Sequence, residues 1–372
     1  NLMRTLERDG LLVRSVESLP DDEALKERKA AGLGLTRPEL CVLLSYSKIS
    51  LFDAVVHSDV PDDPFFDRDL LSYFPTQMVE RYRDLLLKHR LRREIVATIL
   101  SNAVVNRMGF AFAHRFAEDH GLPRAEIVKA YAIAHEIYEG DRYWLPIQAL
   151  DLKVPAALQL RLFNRAIGLM KHATTWLLNN KWSTRPIGEA VTRFRTGIAE
   201  LARLLPDILP GSYRADWDKA VEGMRADGVP PELAVQLANT MVLGSAPDIV
   251  ELAEQAQVPL CEAAGVYFQI GDRLRILWLL SSIIGFSVGN KWQALARSNL
   301  REDTYRLHRQ LAARILQQPG DTPQARIEAW IAANESKVRF GMQRLQELQA
   351  VPVQDFMTLA VGVRELRKLR QL

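Results

Sequence analysis

Apolar side chains along this chain recur at three- and four-residue spacings almost throughout, and convincing two-residue alternation bounded by turn residues is missing. The pattern predicts an all-α protein, a large multi-helix body of about a dozen helices or more, with no parallel sheet and no Rossmann unit. Thr36-Arg37-Pro38-Glu39 reads as a capping box. The Thr36 hydroxyl can accept from the third helical N–H, Glu39 can reach back, and Pro38 in the first turn costs no internal hydrogen bond. The helix it opens carries Leu40, Leu43, Leu44 and Ser47 on one face and runs to about His57. Asp59–Pro64 then forms a stiff acidic turn. The longest pattern runs from about Gln77 to His120, broken near Leu87–Leu91. Its second part holds Leu91, Ile95, Ile99 and Ala103, then Val104, Met108, Phe112 and Phe116, at i, i+4 spacing. These positions predict a spine helix of about 30 residues, roughly 45 Å long, stopped at Gly121.

Further helices are expected at Arg124–Glu139, Arg142–Leu150, Pro155–Asn179, Ile187–Leu205, Tyr213–Asp227, Pro231–Leu243 and Pro247–Gln257. Leu260–Leu280, Lys291–Gln317, Gln324–Gln349 and Val353–Leu369 complete the series. The loop Asn180–Pro186 is the best internal boundary. It divides an N-terminal helical part, 1–182, which carries the spine helix, from a C-terminal helical part, 183–372; one continuous helical domain is the alternative. The longest apolar run, Ile276–Val288, is shorter than the ~20 residues a bilayer span needs and reads as a buried core helix, so no membrane partner is expected.

Composition narrows the class without naming an activity. Of 372 residues, 48% are hydrophobic and 25% charged, as in a soluble globular protein. Lys plus Arg numbers 48 against 45 Asp plus Glu, and a net charge of +3 gives no argument for nucleic acid or an anionic membrane. The two cysteines, Cys41 and Cys261, lie far apart in helical patterns, which excludes a disulfide framework and fits a reducing, cytoplasmic compartment. The stretch from Asn1 to Arg14 has no secretory signal and begins inside an amphipathic pattern. A piece of a longer polypeptide would look like this, as would a trimmed form of a complete protein.

Short motifs that would carry chemistry fail on inspection. Gly32-Leu33-Gly34 has Arg37 where a dinucleotide fingerprint needs its third glycine and no strand before it, so it reads as a helix stop. His135-Glu136-Ile137-Tyr138-Glu139 begins like a zinc-protease helix but has Glu139 where a second imidazole is required. The acidic turn Asp59–Asp69 lacks the central glycine of a calcium loop. Lys88-His89-Arg90-Leu91-Arg92-Arg93 is the densest basic run, offset by Glu80, Asp84 and Glu94; a solvated or intramolecularly paired face explains it better than nucleic acid. The seven tryptophans read as core anchors, and any that proved exposed would mark an interface.

Longer strings are more specific. Gly34–Leu40, Val42–Ile49, Ser58–Pro64, Tyr73–Pro75, His89–Ile95 and Val105–Gly109 resemble the C-terminal helical region of the large bacterial NAD-specific glutamate dehydrogenases. So do Val154–Ala156, Thr175–Leu178, Ala246–Glu251, Val266–Phe268 and Trp292–Arg297. The resemblance implies a parent enzyme, a homo-oligomer, that deaminates L-glutamate to 2-oxoglutarate and ammonium and passes hydride to NAD. In that family a separate, preceding α/β region performs the reaction, so no catalytic, cofactor-binding or metal residue is carried onto this chain, and NAD belongs to the parent. Its expected partner is the catalytic region of the same polypeptide; an independent helical protein-interaction or effector-binding module is the alternative. If the chain presents an interface, the candidates are Arg90, Arg92 and Arg93, whose guanidinium groups can make bidentate contacts, with Asp62 and Asp63 in the acidic approach. Intramolecular bracing of Thr36–Tyr73 against the long helix competes with that reading.

Overall fold

The computed structural model describes residues 2–352 and 355–372. Asn1, and Val353, where the spacing places the start of the last helix, lie outside the described residues. Among the described residues the chain forms twenty α-helices and no strand. The first eight are α1 (Leu2–Arg8), α2 (Asp22–Ala30), α3 (Arg37–Val56), α4 (Asp67–Ser72), α5 (Thr76–Leu87), α6 (Arg92–Met108), α7 (Phe112–His120) and α8 (Arg124–Ile137). Next come α9 (Asp141–Gln148), α10 (Ala156–Asn179), α11 (Ile187–Ile208), α12 (Gly211–Ala226), α13 (Pro231–Leu243) and α14 (Ala246–Ala256). The last six are α15 (Leu260–Arg273), α16 (Ile276–Gly285), α17 (Lys291–Leu316), α18 (Pro323–Ala333), α19 (Glu335–Gln349) and α20 (Phe356–Arg370). Single 3-10 turns occupy Val60–Asp62, Pro64–Phe66 and Trp182–Thr184.

The helices gather in two compact units that interleave in sequence. One combines residues up to Ile137 with Met170–Thr192, and the other combines Tyr138–Leu169 with residues from Arg193 onward. In the first unit α3 packs along α6, and both meet α8. Leu51, Val55, Val96, Val104, Ile127 and Ile133 are buried there. The capping box forms as the residues predict, with the Thr36 N–H donating to Glu39 at 2.7 Å. Arg28 donates to both oxygens of Glu39, at 2.9 and 2.8 Å, and so ties the end of α2 to the start of α3.

The expected spine helix is not one rod. It ends at Met108 and resumes at Phe112 after a bend of 92°. Gly109 sits at φ 88 and ψ 156, outside the helical region, where a residue without a Cβ is unstrained. The bend carries Phe112 into the core beside Tyr131 of α8, ring centroids 6.2 Å apart. Two other expected helices are divided for similar local reasons. Arg275, at φ 56, separates α15 from α16, and Asn334, at φ −132, separates α18 from α19.

In the second unit α15 is the centre, with α14, α17 and α18 packed around it, and α20 lies across α16 and α17. Tyr267, Phe268, Leu311, Ile315 and Trp330 fill this core. No single helix among the described residues is long and apolar enough to cross a membrane. The pairs α6–α7 and α13–α14 approach that composition only when joined across bends of 92° and 64°.

Candidate functional site

The acidic turn and the basic run meet in the first unit. The two 3-10 turns lay residues 59–66 against the start of α6. Arg92 donates to the Asp67 carboxylate at 2.6 Å and to the Asp63 carbonyl at 3.4 Å. Arg93 pairs with Asp62 and donates to the carbonyls of Val56 at 2.8 Å and Ser58 at 2.5 Å. Val56 is the last residue of α3, so Arg93 satisfies carbonyls that the helix end leaves without an internal donor and places its charge at the negative end of the dipole. Among the described residues no guanidinium pairs with the Asp63 side chain. Its two oxygens accept from the N–H of Phe65 at 2.9 Å and of Ile187 at 3.1 Å, which pins the second 3-10 turn and the first residue of α11 together. Arg90 is exposed and stands outside this clasp.

The zinc-protease look-alike dissolves as well. Glu136 forms ion pairs with Arg68 and with His135. Burial pushes the Glu136 carboxyl up, but His135 and Arg68 outweigh it and hold the group down at about 2. Glu139 has left the helix, at φ 51, and pairs with Arg142 and Arg195, each at 2.9 Å. Among the described residues no group of three or more His, Cys, Asp or Glu is placed to hold a metal ion. Gly32, at φ 70, ends α2 and is followed by the cap of α3, so the Gly32-Leu33-Gly34 turn does not fit a dinucleotide pyrophosphate, and no hydride-transfer step is assigned to it.

A second cluster of charge, in the other unit, has no counterpart among the short motifs. Asp248 and Glu251 of α14 have side chains only 5% and 10% exposed. Arg309 of α17 reaches both, at 3.2 Å to Asp248 and 2.7 Å to Glu251. From α11, Arg193 adds contacts of 3.6 Å to Glu251 and 2.8 Å to Glu254. Two carboxylates out of water are compensated by two guanidinium groups, and α11, α14 and α17 are fixed to one another by the exchange. Asp248, Glu251 and Glu254 recur every three residues, a visible helical spacing. Nothing local in the sequence shows that their partners lie near 193 and 309.

Beside this network, the His308 ring stacks on Tyr267 with centroids 3.6 Å apart. His308 Nε2 lies 2.7 Å from the Tyr267 carbonyl, an oxygen that can only accept, so Nε2 carries the proton. Nδ1 is buried with no hydrogen-bond partner among the described residues. Burial, opposed in part by the bond to Tyr267, lowers the imidazole from 6.5 to about 3 and keeps it neutral. Gly271 makes this packing possible. A Cβ there would lie 2.6 Å from the Tyr213 hydroxyl and 2.8 Å from His308 Cε1.

Together these arrangements define an all-helical domain whose least exposed charges brace its own helices. Residues 32–368 match the family described as glutamate dehydrogenase, C-terminal, and the chain belongs to that family. The NAD-specific glutamate dehydrogenase of Pseudomonas aeruginosa is 37% identical over 373 residues, covering 100% of this chain and 23% of its own length. Its namesake in Halomonas elongata is 34% identical, covering 98% of this chain and 23% of its own. For the Mycobacterium tuberculosis protein of the same name the figures are 32%, 96% and 22%. The chain therefore spans less than a quarter of the length of these relatives. Ala246–Glu251 and Val266–Phe268, two of the strings that carried the resemblance, converge on the Asp248–Arg309–Glu251 network and the Tyr267–His308 stack.

Proposed function

We propose that this chain is the non-catalytic helical part of an NAD-dependent glutamate dehydrogenase and serves the packing, assembly or regulation of the catalytic region of the same polypeptide. The parent reaction converts L-glutamate, NAD and water to 2-oxoglutarate, ammonium and NADH. The observation that carries this reading is the engagement of the buried charges. Asp248, Glu251 and Arg309 hold one another across two helices, as in a scaffold, instead of converging on a space where a substrate could sit. The family match supports a glutamate dehydrogenase parent, and the small share of the relatives that the chain covers supports a catalytic region elsewhere in the same polypeptide. Cytoplasmic location and a homo-oligomeric parent belong to the same proposal.

Titration of the isolated chain with NADH, followed by an assay with glutamate and NAD, tests the reading. The expected result is no saturable binding in the micromolar range and no NAD reduction. Either signal would overturn the non-catalytic role.

A further inference from the structure

In the second unit α19 packs against α20. A Cβ on Gly341 of α19 would come within 2.8 Å of the Leu369 side chain of α20, so the two helices approach closely there. Beside that contact lies a cavity of about 190 Å³. Its wall takes Lys337 and Phe340 from the first turns of α19, Glu365, Lys368 and Leu369 from the last turns of α20, and Leu372 just beyond. Phe340 is 55% exposed, and the Arg344 guanidinium lies over its ring, 4.4 Å from the centroid. Arg344 also reaches Glu365, so one side chain ties the aromatic wall to the carboxylate.

The Glu365 side chain lines this cavity although it is only 5% exposed. Arg344 and Lys368 both donate to its Oε1, at 3.2 and 2.7 Å. Oε2 accepts no hydrogen bond among the described residues. A carboxylate oxygen kept from water without a donor is costly, and a donor that enters the cavity relieves that cost. Lys368 uses one of its three N–H groups on Glu365, and the exposed Lys337 ammonium has no partner among the described residues. One space is thus bordered by a lone anionic acceptor, two ammonium groups and the hydrocarbon of Phe340, Leu369 and Leu372. The acceptor suits an ammonium, the lysines suit a carboxylate, and the wall suits an aliphatic chain. An α-amino acid with an aliphatic side chain carries all three groups in one small molecule. A cavity of about 150 Å³ holds a six-carbon ring, so this one has room for such a side chain with its polar head at the rim.

We propose that this pocket binds an α-amino acid with an aliphatic side chain. Its ammonium donates to Glu365 Oε2, its carboxylate accepts from Lys337 and Lys368, and its side chain lies against Phe340 and Leu369. The site does not depend on the scaffold reading, which the NADH titration tests separately. Saturation-transfer NMR and calorimetry of the 372-residue chain with L-leucine test it. Saturation is expected to pass chiefly to the leucine methyl groups, with a Kd in the millimolar range. Lys337→Gln should raise that Kd about fivefold, while Lys337→Arg, which keeps the charge, should change it little. Isocaproate, which lacks the ammonium, and isoamylamine, which lacks the carboxylate, should each bind about tenfold more weakly than leucine. Phe340→Ala should weaken all three ligands together. Lys337 and Phe340 are both exposed, so these variants keep the fold, and circular dichroism checks that they do. Absence of saturable leucine binding would overturn the proposal. Binding indifferent to both Lys337→Gln and Phe340→Ala would place the ligand elsewhere, and equal affinity for isocaproate would leave Glu365 no part in recognition; each also overturns it.

Discussion

His308 couples the stability of the second unit to pH. Its folded value, about 3, lies below the ordinary 6.5, so the unfolded chain takes up a proton that the folded chain refuses. The neutral ring costs nothing above pH 6.5, and stability falls as pH drops from there toward 3. His114, which burial holds at about 4, acts in the same direction in the first unit. His308→Gln keeps a donor for the Tyr267 carbonyl and cannot titrate; urea unfolding at pH 7 and pH 5 should show a smaller acid loss in the variant than in the parent chain. Arg309 behaves differently. Removing it as Arg309→Met takes one guanidinium from both Asp248 and Glu251, two carboxylates that stay largely out of water, which should cost about 3 kcal/mol at neutral pH. Arg309→Lys, which keeps the positive charge, should lose less than Arg309→Met in the same urea unfolding measurement. An equal loss in both variants would show that the network is held by packing and not by charge. The spacing of Asp248 and Glu251 was legible in the sequence; their burial and the identity of their cation were not, because the pairing closes a separation of about sixty residues.

At the scale of helices and turns, Arg92 and Arg93 clasp the turn that follows α3 to the start of α6. Replacing both by alanine should lower the melting temperature of the first unit by several degrees, since the end of α3 and the carboxylates of Asp62 and Asp67 lose their donors. An interface role would instead leave melting unchanged and alter association, which sedimentation of the same variant reads. The capping box at Thr36 and the stop at Gly121 could be read directly, because both depend on residues within one turn. The division of the spine could not. The second i, i+4 apolar series, Val104 to Phe116, continues across Gly109, and periodicity reports which face is apolar without saying whether the axis stays straight.

Over the whole molecule, two cores in one chain predict that damage stays local. Hydrogen exchange on the Arg92→Ala/Arg93→Ala variant should rise in α3 and α6, and on Arg309→Met it should rise in α14 and α17. Exchange rising equally throughout both units in either variant would show that they open as one. The sequence by itself determined that this protein is helical, where most helices begin and end, and, through its long strings, which family it belongs to. These properties are written in contacts within a few turns or in ordered identity along the chain. Only the tertiary structure decided that the chain folds into units that interleave in sequence, that Arg92 and Arg93 grip carboxylates and carbonyls of their own unit, that Asp248, Glu251 and Arg309 are buried together, and that Trp292 alone among the tryptophans is largely in solvent. Each depends on which surfaces meet at long separation, and hydrophobic spacing, which is degenerate in partner, cannot specify that.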